Sequence, residues 1–448
     1  LVTRSNDLFF GASLHDPQRD WVDPDLLDLP QADEQQRLLV QLIQHISAPE
    51  RPLLRFWYLP RELRAVVVMT GDDHALNGTA ERFAAYAALD RPGDSPEDWT
   101  DIRATSYIYA GGSSLSSADA AAFAAQGFEI CPHVTTGAME WTTGSLSRAY
   151  RRQLAAFGRK YPEVPQPVSH RTHAVVWSDW ATQAEIERAN GIRLDTNYYY
   201  YPAPWVAGRT GFFTGSGLPM RFATTAGDVI DCYQATTLLT DESEQVFPEA
   251  ITVALDRALR PDGHVTVLTA NMHTDLGVSI GSDAIVAAAR RRGVPVISAR
   301  QLLTWIDARA ASSVRAVQST GTRLRFSVAA PPDARHLTLL VPAPTDHRGV
   351  ARATRDGEPV PVAHDLIGGV VHAIVPAATG SYELEWDDGP TPPTILGLTA
   401  TAASPSEIRI EWRSSLPMDG RVTITPDDGG AAPAIEEGAE RYRHAVTA

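Results

Sequence analysis

From Arg64 to about Ala311, short apolar runs alternate with amphipathic stretches, several of which end in glycine. This is the pattern of repeated βα units. It predicts strands at Ala65–Thr70, Thr105–Ile108, Glu129–Pro132, Val168–Val176, Ile192–Tyr198, Val265–Ala270 and Val294–Ser298. Helices are predicted at Thr79–Leu89, Ala118–Gln126, Leu146–Lys160, Ala181–Asn190 and Asp283–Arg292. Gly127, Gly191 and Gly293 follow three of them, where a C-cap takes a left-handed residue. About seven such units predict an α/β fold, a closed or nearly closed (β/α) barrel with its chemistry at the C-terminal ends of the strands. An open doubly wound sheet is the alternative.

Two regions break the rhythm. Asn197–Ser243 is rich in Tyr, Trp, Gly and Thr and too long for an ordinary connection, so an elaborated hairpin or loop beside the site is expected. Residues 1–63 hold a turn at Asp23-Pro24-Asp25 and a helix over Ala32–Ser47, and read as part of a larger N-terminal element. The barrel is assigned to residues 64–311. Beyond it helical periodicity disappears, and Arg323–Ala329, Leu337–Val341, Gly369–Val375 and Ser381–Trp386 predict a β-sandwich over 312–388. After the proline-rich linker Asp388–Pro393, the strands Ile395–Ala400, Glu407–Trp412 and Arg421–Thr425 make residues 394–448 resemble the first half of a fibronectin type III module.

The 448 residues allow two to four domains at roughly 100–200 residues each. With 44% hydrophobic and 21% charged residues, neither wholesale disorder nor a fibrous repeat fits. A formal charge of −15 argues against nucleic acid as a partner. No apolar run reaches the ~18 residues of a membrane span. The start at Leu1, without Met or a signal segment, suggests a trimmed or processed form. Cys131 and Cys232 lack disulfide-framework or metal spacing and read as small buried residues. No phosphate loop or dinucleotide fingerprint is present in the sequence, so no nucleotide cofactor is expected.

The chemistry gathers at strand ends. Met69-Thr70-Gly71-Asp72-Asp73-His74 follows the most hydrophobic strand, and its adjacent carboxylates can serve one site as metal ligand and base. An Asp there serves equally as a turn or helix N-cap. The later strands end in His133, Ser169-His170-Arg171-Thr172-His173, Asp195 and Asn271-Met272-His273. Asp, His and Arg recurring at the same ends of successive strands read as a metal-assisted hydrolytic site.

In this order the motifs resemble the polysaccharide deacetylase family, the NodB-homology carbohydrate esterases, over about Ala65–Asp275. Thr70-Gly71-Asp72-Asp73 matches the family's Thr-Phe-Asp-Asp except for Gly71, and His133-Val134-Thr135-Thr136-Gly137 keeps only the first histidine of His-Ser/Thr-x-x-His. The resemblance implies Asp72 as general base, Arg171 orienting it, His273 as acid and Asp195 as the fourth-motif aspartate beside that acid. It implies a divalent metal, with zinc leading, on Asp73, His133 and a third ligand. His173 is preferred there because alternation puts it on the face of Arg171, and His74 is the rival. Trp177, Tyr199 and Trp205, in an aromatic cluster with Trp180, Tyr198, Tyr200 and Tyr201, are candidate sugar platforms.

The implied function is removal of N-acetyl groups from a polysaccharide, in an extracellular or cell-surface setting. The alternatives are a non-catalytic glycan-binding protein on the same fold and a hydrolase of a small non-sugar amide.

Overall fold

The run Ala65-Val66-Val67-Val68-Met69 is apolar on both faces, as a central parallel strand requires. It forms β1 (Ala65–Asp73), buried along its whole length. The structure, a computed structural model, describes residues 27–47, 52–197, 208–212, 214–260, 263–320, 322–344, 349–367, 370–386, 395–404, 407–423 and 434–447. Asp23-Pro24-Asp25, Tyr199 and Trp205 lie outside the described residues.

The chain divides into two units, residues 1–35 with 64–304 and residues 36–63 with 305–448. In the first, β1 is followed by β2 (Thr105–Ile108), β3 (Glu129–Pro132), β4 (Ser169–His170) and β5 (Leu194–Asp195). Then come β6 (Met220–Ala223), β7 (Val229–Gln234), β8 (Thr237–Thr240), β9 (Thr266–Asn271) and β10 (Val296–Ile297). One parallel sheet runs β3-β2-β1-β9-β8, with β10 also beside β1. A second holds β4, β5 and β7 in parallel, with β6 antiparallel to β7.

The fold is thus mixed α/β with parallel sheet, but the described strands form two sheets and not one closed ladder. The cause is local. The expected strand Val168–Val176 ends at His170 and turns into a 3-10 segment, His173–Val175, while β5 also pairs over only two residues. Single backbone bonds, His173 N–H to Val134 O (3.0 Å) and Thr237 N–H to Asn197 O (3.2 Å), join the two sheets near their C-terminal ends. The expected elaboration after Asn197 contains the β6–β7 hairpin.

Helices α1 (Thr79–Ala87), α2 (Ser117–Ala125), α3 (Thr143–Lys160), α4 (Thr182–Ala189), α5 (Glu249–Leu259) and α6 (Ile280–Arg291) cover the sheets. Their apolar stripes supply Phe83, Tyr86, Ala120, Phe157, Ile251, Leu255, Ile285 and Ala289 to a core shared with Val67, Met69, Ile130 and Leu268.

In the second unit, Ser313–Thr320, Arg323–Ala329, Gly380–Trp386, Val350–Arg355 and Glu358–Pro359 form one antiparallel sheet. Arg55–Phe56, Thr338–Pro342, Val370–Pro376 and Ala363–Ile367 form another. Residues 36–63 therefore contribute to this unit: Arg55–Phe56 is an edge strand on Thr338–Pro342. Further along, Glu407–Thr423 pairs with Ile395–Ser404 and Ala434–Thr447. Glu407–Trp412 and the start of Arg421–Thr425, expected as separate strands, belong to one strand, with register shifts between Arg413 and Gly420.

Candidate active site

Alternation along β1 decides the first motif. Thr70 and Asp72 share a face and both accept from the buried guanidinium of Arg171, Thr70 Oγ1 from Nη2 at 2.7 Å and Asp72 Oδ1 from Nη1 at 3.1 Å. Asp73 faces the other way. Its Oδ1 accepts from Asn77 N–H at 3.0 Å and its Oδ2 from the Thr79 hydroxyl at 2.7 Å, so it caps the start of α1. The expectation that Asp73 is a metal ligand is corrected on this ground: β1 continues through both carboxylates, and the pair is split between its faces.

Gly71, where the resemblance leads one to expect an aromatic residue, has no room for a side chain. A Cβ there would lie 2.3 Å from Met272 O and 2.6 Å from Thr274 Cγ2. The end of β9 packs directly on β1, bringing Asn271 Nδ2 to 3.2 Å from Asp72 Oδ2. Asp72 is thereby fixed through both oxygens. Burial alone would raise its pKa, but Arg171, His133 and His273 together outweigh burial and hold the carboxyl at about 2.

Beside Asp72 stand three imidazoles. The ring centres of His74, His133 and His173 are 5.3, 5.2 and 5.4 Å apart, each pair edge-on. All three Nδ1 atoms are engaged. That of His133 donates to Arg171 O at 2.9 Å, that of His74 to Asp275 Oδ2 at 3.0 Å, and that of His173 stands 3.2 Å from Thr135 Oγ1. His133 Nε2 is buried without a hydrogen-bond partner, 4.0 Å from Asp72 Oδ2. Burial pushes this imidazole down to about 3, so it stays neutral with a free lone pair. Three imidazoles sharing one ion at the ~2.0–2.1 Å usual for zinc have ring centres about 5 Å apart, the spacing seen here. Among the described residues, the ligand atom of His74 also lies within 4.8 Å of those of His273 and Asp275. His173 and His74, weighed as rivals for one ligand position, are both in the cluster.

His273 stacks on His74 at 5.4 Å. Its Nδ1 donates to Asp241 Oδ1 at 2.8 Å, and Glu242 Oε1 is 3.5 Å from its Nε2. Burial would lower its pKa, but the bond to Asp241 and the fields of Asp72, Asp241 and Glu242 lift it to about 9. The expected carboxylate partner, Asp195, is elsewhere. It accepts from Asn197 N–H at 2.9 Å and Gln234 Nε2 at 3.3 Å, in a fully buried cluster with His170 and Glu187. Burial raises both carboxyls, Glu187 to about 7. This cluster holds the backbone between Arg171 and His173: Asn197 Oδ1 accepts from Thr172 N–H at 3.0 Å, and Gln183 Nε2 donates to Thr172 Oγ1 at 2.7 Å.

Trp177 is 3% exposed and stacks on Phe222 at 5.6 Å, so it is a core residue and not a sugar platform. Trp180 is exposed, its indole N–H donating to Ala223 O at 2.8 Å. Residues that sequence reasoning missed include Asp241, Asp275, Asn271 and Tyr109, whose ring lies 5.4–5.5 Å from those of His74, His133 and His173. Asp275 had a signal, two residues beyond His273, and Tyr109 directly follows β2.

No protein-family model and no curated protein matches this chain. Among solved structures it is similar to one described as a polysaccharide deacetylase from Mycobacterium smegmatis, at 13% identity over 57% of this chain and 94% of that one, TM-score 0.37. It is also similar to a family 4 carbohydrate esterase from Streptomyces lividans in complex with acetate, at 13% identity, 52% and 91% coverage and TM-score 0.30. A third is Agd3, described as a carbohydrate deacetylase, at 11% identity, 72% and 65% coverage and TM-score 0.39. Among the described residues no helix is long and apolar enough to cross a membrane.

Proposed function

We propose that this chain is a metal-dependent hydrolase that removes N-acetyl groups from a polysaccharide, with His74, His133 and His173 holding a divalent cation, zinc first among them. The observation that carries the reading is the buried, unpartnered Nε2 of His133, facing Asp72 inside a triangle of imidazoles. A divalent cation there supplies Lewis acidity toward a carbonyl oxygen and makes water acidic near neutral pH. Asp72, kept ionised and aimed by Arg171, accepts a proton from the water whose oxygen bonds to the acetyl carbon. His273, held by Asp241 and protonated below about pH 9, gives a proton to the nitrogen as the C–N bond breaks. The products are acetate and a free amine on the sugar.

Glycan binding without turnover is the second reading, favoured by the withdrawal of Asp73 into the α1 cap. Acetate release from N-acetylated glycans by zinc-loaded protein separates the two. Release that disappears in His133→Ala supports the hydrolase; bound metal with no release from any acetylated glycan overturns it. An extracellular or cell-surface location accords with a polysaccharide substrate.

A further inference from the structure

We infer that a groove beside His173 binds an anionic group on the glycan, so that the preferred substrate is an acetylated polysaccharide carrying carboxylate or sulfate near the acetylated sugar; this rests on the hydrolase reading above. The groove, about 820 Å³, is lined by Thr135, Met139 and Trp141 on one side and by Arg148, Arg151 and Arg152 on the other. It begins at the candidate centre, because Thr135 Oγ1 is also the neighbour of His173 Nδ1 at 3.2 Å. The Gln153 side chain clamps the two sides together, accepting from Thr135 N–H at 3.0 Å and donating to Thr135 O at 2.8 Å. The α3 segment that carries the arginines is therefore tied to the backbone of Thr135, the neighbour of His173.

Arg148, Arg151 and Arg152 stand at i, i+3 and i+4, one exposed face of the helix. Among the described residues none of the three has an ion pair or hydrogen bond, and Glu140 is the one acid lining the groove. In a chain of net charge −15, arginines such as Arg193 and Arg292 are paired with carboxylates at 2.8 and 2.7 Å. Three like charges left together repel one another, and that cost is relieved when an anion bridges them. Arginine's planar fork matches the oxygens of a carboxylate or sulfate. Met139, 66% exposed, adds an apolar surface for a ring face. Three cations over so short a span suit one or two charges on a sugar chain, whereas the overall negative charge repels a long nucleic-acid polyanion.

The test compares binding and acetate release for three hexasaccharides: alternating N-acetylglucosamine and glucuronate, its galactosamine counterpart bearing sulfate, and neutral chitohexaose. The uronate chain is expected to bind about tenfold more tightly than chitohexaose at low salt. That preference should fall by about 3- to 10-fold in Arg148→Gln/Arg152→Gln and shrink as salt screens it. Arg148→Lys/Arg152→Lys, which keeps charge but loses the fork, should retain part of it. A tighter sulfated chain supports the subsite with sulfate as its anion. Equal binding of charged and neutral chains, or a preference indifferent to both double variants, overturns the subsite even where acetate is released. An arginine-dependent preference with no acetate from any chain leaves the subsite standing and removes the hydrolase.

Discussion

His273 and Asp241 are joined twice, the imidazole donating to one carboxylate oxygen at 2.8 Å and the backbone N–H to the other at 2.9 Å. The pair fixes both ring orientation and tautomer, and keeps the ring charged up to about pH 9. Since the proton donor is the charged ring, turnover should be lost as pH rises through that value. Asp241→Asn should move the alkaline limb of kcat/KM toward the ordinary histidine value of 6.5. His273→Ala should cost about 10²–10⁴ in rate below about pH 9 and progressively less above it. An alkaline limb unmoved in Asp241→Asn removes His273 from the acid role.

The two adjacent aspartates should separate cleanly in mutants. Asp72→Asn should abolish most turnover and, because it leaves the buried Arg171 guanidinium without its carboxylate, should also lower stability by up to about 3–5 kcal/mol. Asp73→Asn should retain metal and, since an asparagine oxygen accepts the α1 cap bonds about as well as a carboxylate's, change stability by less than about 0.5 kcal/mol. Metal analysis and urea unfolding on both variants check this. Metal lost with Asp73→Asn would return that residue to the ligand set.

Removal of either His74 or His133 should lower bound zinc in parallel with activity. Elemental analysis after dialysis provides the measurement. Retention of a full equivalent in His133→Ala would exclude the imidazole cluster as the metal's site.

Gly71→Ala would drive a methyl into Met272 O, so the end of β9 must shift. Asn271 and His273 move with it, and activity should fall more than about tenfold for an overpacking cost of about 1–3 kcal/mol. A variant with normal rate and normal stability would show that this contact relaxes freely.

In the second unit His372 is buried, its Nδ1 donating to Val370 O at 2.9 Å and its Nε2 lying 3.2 Å from Gln44 Nε2. Burial, with Arg55 adding to it, holds the ring neutral down to about pH 4, against 6.5 when exposed. Between those values the unfolded chain takes a proton that the folded chain refuses, so stability falls as pH drops from 6.5 to 4. The slope should approach about 1.4 kcal/mol per pH unit for one such ring, and be flatter in His372→Gln. Urea midpoints across that range measure it, and an identical slope in the variant would assign the acid sensitivity elsewhere.

Strands such as Thr105–Ile108 and Glu129–Pro132 were legible to the residue, because short segments set between a preceding turn or helix-ending glycine and a following turn leave few alternatives. The Arg171–Asp72 pairing was legible from motif order. The partner of His273 was not, because it depends on which strand lies beside β9. That neighbour is Thr237–Thr240, four residues inside a long irregular stretch, while Asp195 ends a strand of the other sheet. The roles of Asp72 and Asp73 were legible only to the pair: a strand taken to end at Thr70 leaves both side chains free, whereas β1 runs through Asp73. Trp177 illustrates a further limit, since composition alone does not distinguish a platform from a core ring.

Arg171 reaches Thr70 and Asp72 on β1, Thr196 O after β5 and the Thr237 hydroxyl on β8. Its carboxylate partner is therefore located by redundant attachments drawn from both sheets. Such a bracket tolerates the loss of a single strut: removing the Thr237 hydroxyl leaves three others to carry the load. It does not tolerate a change of shape in the bracket itself, because a lysine ammonium at this position replaces a rigid multi-point joint with a pivot. Drift in the surrounding sequence can thus accumulate at the struts long before it is permitted at the joint.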